Sequence, residues 1–270
     1  MSWLGSLHFG AALLCLVVCG LLALAGPRLV AALPEPAPEP APEPVPDPVS
    51  VPDAVEGVPV GAGERDTLFS RTLAPAPTKE PYAAIAALPG LGLRLAVGSA
   101  VVGAAFGAVL GWTGALLYLV PLVPVGAVLL VIDWRTTLLP TRILHRTYAL
   151  LAVLLPVAAL VDHDLSSLYR AGWGWAVVGG WFWVLWALLR AWGFGDVRLA
   201  RVLGPALGYL GWEQMLVGLA LIVLVGGLGG VVLSVATRSL RRRFPYGPFM
   251  LVGATGAVLV GPWLARGLGY

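Results

Sequence analysis

Long apolar runs separated by short polar stretches constrain this chain more than any other feature of its sequence. A helix needs roughly 20 apolar residues to cross a bilayer. Only 11% of the residues are charged and 59% are hydrophobic, whereas a soluble domain is about 25% charged. We therefore predict an all-α, polytopic transmembrane helical bundle, with long spans at Phe9–Ala25, Leu93–Leu110, Thr113–Ile132, Ile143–Val161, Trp173–Leu189, Gln214–Ala236 and Gly247–Ala265.

A shorter helix is expected after the fifth span, from Asp196 to about Leu207. It is too short to cross unaided, so its place in the topology has to come from the distribution of charge. Basic residues gather on the cytoplasmic side of membrane proteins. If the short helix is a thin or re-entrant sixth segment of about eight, every Lys and Arg except Arg170 and Arg266 falls on one side. This count places that side in the cytoplasm and the N-terminus outside.

Proline alternates with acidic and small residues from Pro34 to Pro52. Proline has no N–H to donate and clashes inside a helix, so this stretch is expected to be an extended polyproline II spacer. The chain is therefore predicted to have three parts: a first transmembrane helix at residues 1–26, a largely disordered Pro/Glu-rich cytoplasmic linker at 27–90, and a membrane-embedded domain at 91–270.

Two carboxylates, Asp133 and Asp196, stand where apolar runs end, and the charge count places both at the cytoplasmic boundary. Either one alone could simply reach water, and Asp196 could serve as a helix N-cap. Brought together, two carboxylates cannot both ionise easily and share one proton. One can then act as general base toward water while the other polarises a peptide carbonyl. Gly193 and Gly195 leave room for a substrate backbone beside Asp196.

Three stretches of the chain resemble motifs of the type IV prepilin peptidase family, the GxGD-type membrane aspartic proteases. Gly193–Leu199, GFGDVRL, is similar to the family's G-x-G-D-x-K-L. Ile132–Pro140, IDWRTTLLP, is similar to its I-D…L-L-P segment, and Phe244–Phe249, FPYGPF, to its P-F-G-P-F/A segment. The resemblance implies that Asp133 and Asp196 are the catalytic pair.

The other matched motif residues are expected to shape the substrate site: Gly193, Gly195, Arg198, Pro140, Pro245, Gly247 and Pro248. For Arg198 two roles are open, because its guanidinium could orient a carboxylate or substrate carbonyl, or could only anchor the helix at the headgroups. The sequence suggests no metal site, no cofactor and no nucleic-acid partner, and it leaves the oligomeric state open.

The resemblance also implies a substrate and a location. The substrate would be a prepilin or pseudopilin of a type IV pilus or a related secretion system. Its basic leader would be cleaved at the cytoplasmic face of the bacterial inner membrane, just before the pilin's hydrophobic helix. The chain could also be a related protease that acts on another membrane-anchored substrate, such as a preflagellin-like protein.

Two departures from the family pattern bear on the chemistry. Thr141 follows Leu139-Pro140 where many members have Asp, a residue that is generally not one of the catalytic pair. Many members also carry two Cys-x-x-Cys pairs that bind zinc and are associated with N-methylation, whereas this chain has only Cys15 and Cys19. We therefore expect a peptidase-only form, without methyl transfer from S-adenosylmethionine.

A carrier is the alternative from another class, in which the same aspartates would hold a proton or a cation inside the membrane. Carriers often contain internal repeats with broken helices in both halves, and the Gly-x-Gly-Asp stretch has no second copy here. Asp162-His163-Asp164 has the residue types of a metal cluster but falls in an outside loop, so a solvated loop is the favoured interpretation.

Overall fold

The computed structural model of the protein describes residues 8–35, 80–189, 193–237 and 244–267, and within these residues every regular element is a helix. The helices are α1 (Phe9–Ala23), α2 (Gly26–Ala31), α3 (Tyr82–Ala86), α4 (Leu91–Leu110), α5 (Ala115–Thr136), α6 (Thr141–Val161), α7 (Ser166–Leu189), α8 (Phe194–Leu210), α9 (Trp212–Thr237) and α10 (Gly247–Gly267). In the described part of the chain, six stretches are long and apolar enough to cross a membrane, from Phe9–Ala31 to Trp212–Ala236, and Gly247–Trp263 is a shorter apolar one. The predicted polytopic helical bundle is confirmed.

The long helices run between two ends of the bundle. At one end, which we call the aspartate end, α5 finishes just after Asp133 and α8 begins just before Asp196. At the opposite end the Asp162 carboxylate accepts hydrogen bonds from the Gly114 N–H, at 2.6 Å, and from the Tyr209 hydroxyl, at 2.8 Å. Asp162 therefore ties the start of α5, the end of α6 and the end of α8 together.

Helix α8 is longer than the predicted Asp196–Leu207 and reaches both ends of the bundle. Its first turn carries Asp196, and Tyr209 near its last turn bonds to Asp162 at the opposite end. Its 17 residues span roughly 25 Å at 1.5 Å per residue. The sixth segment is thus a crossing of the bundle. Its polar first turns hide this in the sequence, because Arg198 and Arg201 interrupt the apolar pattern.

Several helices in the bundle pack with their backbones nearly in contact, and two of these pairs use glycines spaced four residues apart. On α4, a Cβ at Gly103 would lie 2.5 Å from Cys19 Sγ, and one at Gly107 would lie 2.5 Å from the Ala11 carbonyl oxygen of α1. On α8, Gly204 and Gly208 meet α7 in the same way. Glycines four residues apart let transmembrane helices approach this closely. The buried Cys15 and Cys19 thus fill a helix interface.

The two ends of the predicted linker form structure of their own, whereas residues 36–79 lie outside the described part of the chain. The Glu35 carboxylate accepts hydrogen bonds from the N–H groups of Tyr82 and Ala83, both at 2.9 Å, and so caps α3. Tyr82 and Ile85 are buried. Local composition does not reveal this contact, because the partners are 47 residues apart. Glu80 then pairs with Arg135 at 2.9 Å, which holds this region at the aspartate end.

Candidate active site

The first aspartate is buried at the end of a spanning helix. Asp133 lies in the last turn of α5 with 4% of its surface exposed. Its carbonyl accepts the N–H of Thr137, whose φ of 52° ends the helix. The chain then turns through Leu139 and Pro140 into α6, and Pro140 occupies the N-cap position of that helix. The helix end therefore places the carboxylate inside the bundle although its sequence neighbours Trp134 and Arg135 are exposed.

Helix α10 supplies the hydrogen-bond donor for this carboxylate. The Gly247 N–H donates to Asp133 Oδ2 at 2.9 Å, and the bond is buried. Gly247 is the first residue of α10, so the carboxylate sits at the positive end of a helix dipole. A Cβ on Gly247 would lie 2.7 Å from Asp133 Oδ2. Only glycine allows the backbone to come this close.

The second aspartate begins the neighbouring helix. Asp196 is the third residue of α8 and is 8% exposed. The N-cap is Gly193, and the Asp196 N–H donates to its carbonyl at 3.1 Å. The alternative prediction from the sequence, that Asp196 is the N-cap of this helix, is therefore wrong. A carboxylate in the first turn of a helix is stabilised by the helix dipole, and here that carboxylate is also buried.

Gly195 brings the two aspartate-bearing segments together. A Cβ there would lie 3.1 Å from Leu139 Cβ, in the turn that follows Asp133. At Gly193 a Cβ would lie 3.6 Å from Asp196 Oδ2, at ordinary contact distance. Asp133 and Asp196 are close enough to interact electrostatically. The structure thus brings together the two carboxylates that the motifs single out, both in a region of little solvent.

Tyr246 is the residue of this site that the sequence analysis did not select. It precedes α10, is 4% exposed, and donates its hydroxyl to the Ile222 carbonyl at 3.1 Å. Burial, and secondarily the charge of Asp196, raises the pKa of Tyr246 to about 12. The ring packs beside Phe182 of α7, with centroids 5.8 Å apart. Its position inside the FPYGPF motif was the available signal, and Gly226 of α9 makes room for it, because a Cβ there would overlap the phenol.

The remaining motif residues lie around this centre with different contacts. Pro248 is the second residue of α10 and is buried, and Pro245 is half-buried before it. Arg198 points along α8: its Nη1 donates to the Thr141 hydroxyl, and its guanidinium lies 4.8 Å from the centre of the Phe194 ring. Thr141 therefore takes part in positioning Arg198.

The Asp162-His163-Asp164 stretch lies at the opposite end of the bundle and serves the fold. Asp162 makes the two hydrogen bonds described above, and Asp164 forms an ion pair with Arg170 at 2.8 Å. A hydrogen bond from Ser166, together with Arg170, holds the pKa of Asp164 at about 2. No group of three or more potential metal ligands occurs within the described residues.

The fold and the site together define a multi-pass helical membrane protein with a buried pair of carboxylates at one end of its bundle. Residues 120–235 match the model of the type IV leader peptidase family. The matched region contains both Asp133 and Asp196 and ends before α10. No curated protein and no solved structure matches the chain. The family resemblance inferred from the motifs is confirmed over this region, and it points to a peptidase.

Gly247→Ala is expected to lower the rate of peptide-bond cleavage by about 10- to 100-fold. The added Cβ would push the N–H at the start of α10 away from the Asp133 carboxylate. A hydrogen bond to a charged group contributes about 1.5–3 kcal/mol. The measurement is the rate of peptide-bond cleavage by purified protein, with Gly227→Ala as the matched control. A Cβ at Gly227, on the exposed side of α9, meets nothing within 4 Å. Equal rates for the two variants would show that cleavage does not depend on the hydrogen bond from Gly247 to Asp133.

Proposed function

We propose that the protein is an aspartic endopeptidase that removes the basic leader of prepilin- or pseudopilin-like precursors. The observation that carries the proposal is the buried pair of carboxylates at one end of the bundle, with Asp133 at the end of α5 and Asp196 at the start of α8. The region that matches the type IV leader peptidase family holds both residues.

In the proposed mechanism, the pair shares one proton and titrates as a unit. The ionised member removes a proton from a water molecule, whose oxygen attacks the peptide carbonyl carbon. The protonated member donates a hydrogen bond to the carbonyl oxygen. The tetrahedral intermediate then collapses, the C–N bond breaks, and the leaving nitrogen takes up a proton from the pair.

The Gly247 N–H supports a division of roles between the two aspartates. A hydrogen bond from a backbone N–H stabilises the charged form of a carboxylate. Asp196 has a backbone partner of this kind in Gly193, but Asp133 receives the buried 2.9 Å bond at the N-terminus of α10. We therefore assign Asp133 as the ionised member and general base. Asp196 is then the member that holds the proton when substrate binds.

The position of the pair supports a substrate cut at the membrane boundary. Both aspartates lie at one end of the bundle, where a scissile bond next to a transmembrane helix would arrive. The sequence places nearly all basic residues on this side, which favours a cytoplasmic orientation and a location in the bacterial inner membrane. The precursor's own basic leader would stay on the same side by the same rule.

The number of cysteines supports a peptidase that lacks methyltransferase activity. A zinc site of two Cys-x-x-Cys pairs needs four cysteines, and the chain has two, both buried between α1 and α4. A carrier function is not favoured, because the family match points to a peptidase.

Leader cleavage tests the proposal directly. The protein is co-expressed with a pilin precursor that has a basic leader ending in Gly, and the precursor's size is followed by gel and its new N-terminus by sequencing. We expect a single cut after that Gly. The matched control is the same precursor with this Gly replaced by Val, which should stay uncut. A membrane-inserted protein that cuts neither precursor, nor a preflagellin-like one, would contradict the proposed function.

A further inference from the structure

A second candidate site lies beside the first turns of α8, which also carry Asp196. It is a cleft of about 590 Å³ between α6, α7 and α8. Its walls include Trp175, which is half-exposed, and Phe194, which is 38% exposed. The cleft opens on the outer side of a bundle of spanning helices, so bilayer lipids can reach it.

The polar end of the cleft is basic. Arg198 and Arg201 of α8 line it together with His145 and Tyr148 of α6, and no Asp or Glu is among the described residues that line it. Neither arginine forms an ion pair with a carboxylate within the described residues. The Tyr148 hydroxyl donates to the Arg198 carbonyl at 2.6 Å, which fixes the wall of the cleft.

Aromatic rings hold both guanidinium groups in place. Arg198 lies over Phe194, and Arg201 lies over Trp175 with 5.3 Å between its central carbon and the ring centre. A ring occupies one face of a guanidinium and not its N–H edges, although one group of Arg198, Nη1, already donates to the Thr141 hydroxyl. Those edges form the paired hydrogen bonds by which arginine binds phosphate.

Arg201 lies well along α8 from the aspartate end, at a depth where an unpaired positive charge is energetically unfavourable. It lies seven residues into α8 from Phe194, or roughly 10 Å along the helix axis. A charged side chain at membrane depth normally pairs with another charge and marks a functional site. Among the described residues, Arg201 has the Trp175 ring and Tyr148 beside it but no carboxylate partner.

The inner end of the cleft is apolar. Leu151 and Leu155 continue α6 toward the middle of the bundle, and Pro205 does the same on α8. Both helices start at the aspartate end, so the polar residues lie near the membrane boundary and the apolar ones lie deeper. This order matches the order of headgroup and acyl chain in a lipid.

We propose that this cleft binds one anionic phospholipid, with its phosphate on Arg198 and Arg201 and an acyl chain along Leu151, Leu155 and Pro205. Basic clefts between transmembrane helices on the cytoplasmic side are suited to such headgroups. A zwitterionic lipid fits less well, because none of the described residues that line the cleft is a carboxylate that could pair with its cationic group. Bound lipid would brace the first turns of α8, the helix that carries Asp196.

Lipid retention measured by native mass spectrometry tests this proposal. The full-length protein is released from micelles that contain equal amounts of phosphatidylglycerol and phosphatidylcholine. We expect wild type to retain one phosphatidylglycerol in preference, and Arg201→Gln to weaken that retention at least about fivefold. Arg146→Gln is the matched control, since it makes the same change at an exposed position of α6 outside the cleft. Its retention should equal that of wild type.

A second variant tests the apolar end and keeps the proposal falsifiable if Arg201→Gln does not fold. Ala152→Trp adds a large ring at an exposed position of the cleft wall and should also weaken phosphatidylglycerol retention. Retention of both lipids to the same extent by wild type would overturn the proposal. So would displacement of the lipid by inorganic phosphate alone, which would make the site one for soluble anions, or unchanged retention in both cleft variants.

Discussion

Asp133→Asn and Asp196→Asn are each expected to reduce leader cleavage by at least about 100-fold, since a positioned acid or base contributes 10²–10⁴-fold. Asparagine keeps the shape of the side chain and can still accept the Gly247 N–H, but it cannot take a proton from water. At position 196 it cannot supply a transferable proton to the leaving nitrogen. The measurement is the first-order rate of precursor cleavage by equal amounts of membrane-inserted protein.

The double variant and a control variant show whether the two aspartates act together in one mechanism or independently. Because the aspartates act as one unit, the double variant should be hardly slower than either single variant. Asp164→Asn is the matched control, because it makes the same change in an acidic residue at the opposite end of the bundle. It should cleave at the wild-type rate. Single variants that cleave like Asp164→Asn would end the proposal of an aspartic mechanism.

Gly204→Ala is expected to be the most destabilising single-methyl substitution among those considered, costing about 3 kcal/mol or more. Its Cβ would overlap the Gly174 carbonyl oxygen of α7, and it would lie 2.8 Å from the carbonyl carbon and 3.1 Å from Val178 Cβ. Overpacking against side chains typically costs 1–3 kcal/mol. Here the obstacle is the backbone of another helix, which cannot rotate away as a side chain does.

Thermal stability in detergent, followed by the fraction that stays monodisperse after heating, measures this effect. The control is Gly180→Ala on α7, where a Cβ meets nothing within 4 Å. Replacing that helical glycine should be neutral or stabilise by about 0.5–1 kcal/mol. If both variants melt at the same temperature, the close α7–α8 approach described above is incorrect.

Gly204→Ala should affect the active site as well as the stability of the bundle. Separation of α7 from α8 at Gly204 would also shift the start of α8, and Asp196 with it. We therefore expect Gly204→Ala to lose cleavage activity even at temperatures at which it stays folded. Catalytic groups usually need placement to within about 0.5 Å.

The helices were predictable because their signals are local. Apolar runs of bilayer length identify spanning helices wherever they occur, and the structure confirms the helical bundle. Helix bounds were less accurate where charge breaks the pattern. For α8 the sequence suggested Asp196–Leu207, whereas the helix is Phe194–Leu210 and crosses the bundle. Its two arginines lowered the apolar signal, although the surrounding helices accommodate them.

The candidate catalytic residues could also be chosen from the sequence, and family motifs linked Asp133 to Asp196 before any geometry was known. Their burial and mutual approach required the fold, since 62 intervening residues have to return the chain to the same end. Tyr246 is a residue of the site whose role could not be predicted from the sequence. Its motif was recognised, but its contacts with Ile222 and Phe182 depend on how α7, α9 and α10 pack.

By itself, the sequence determined that the protein is a bundle of spanning helices with two carboxylates at helix ends, because hydrophobic length and residue type act along the chain. The tertiary structure alone decided that the Gly247 N–H donates to Asp133 across 114 residues, that Glu35 caps α3, and that two arginines of α8 share a basic cleft. Such contacts arise from helix packing, where a single glycine sets how closely two backbones approach. No local pattern records which distant glycine faces which carboxylate.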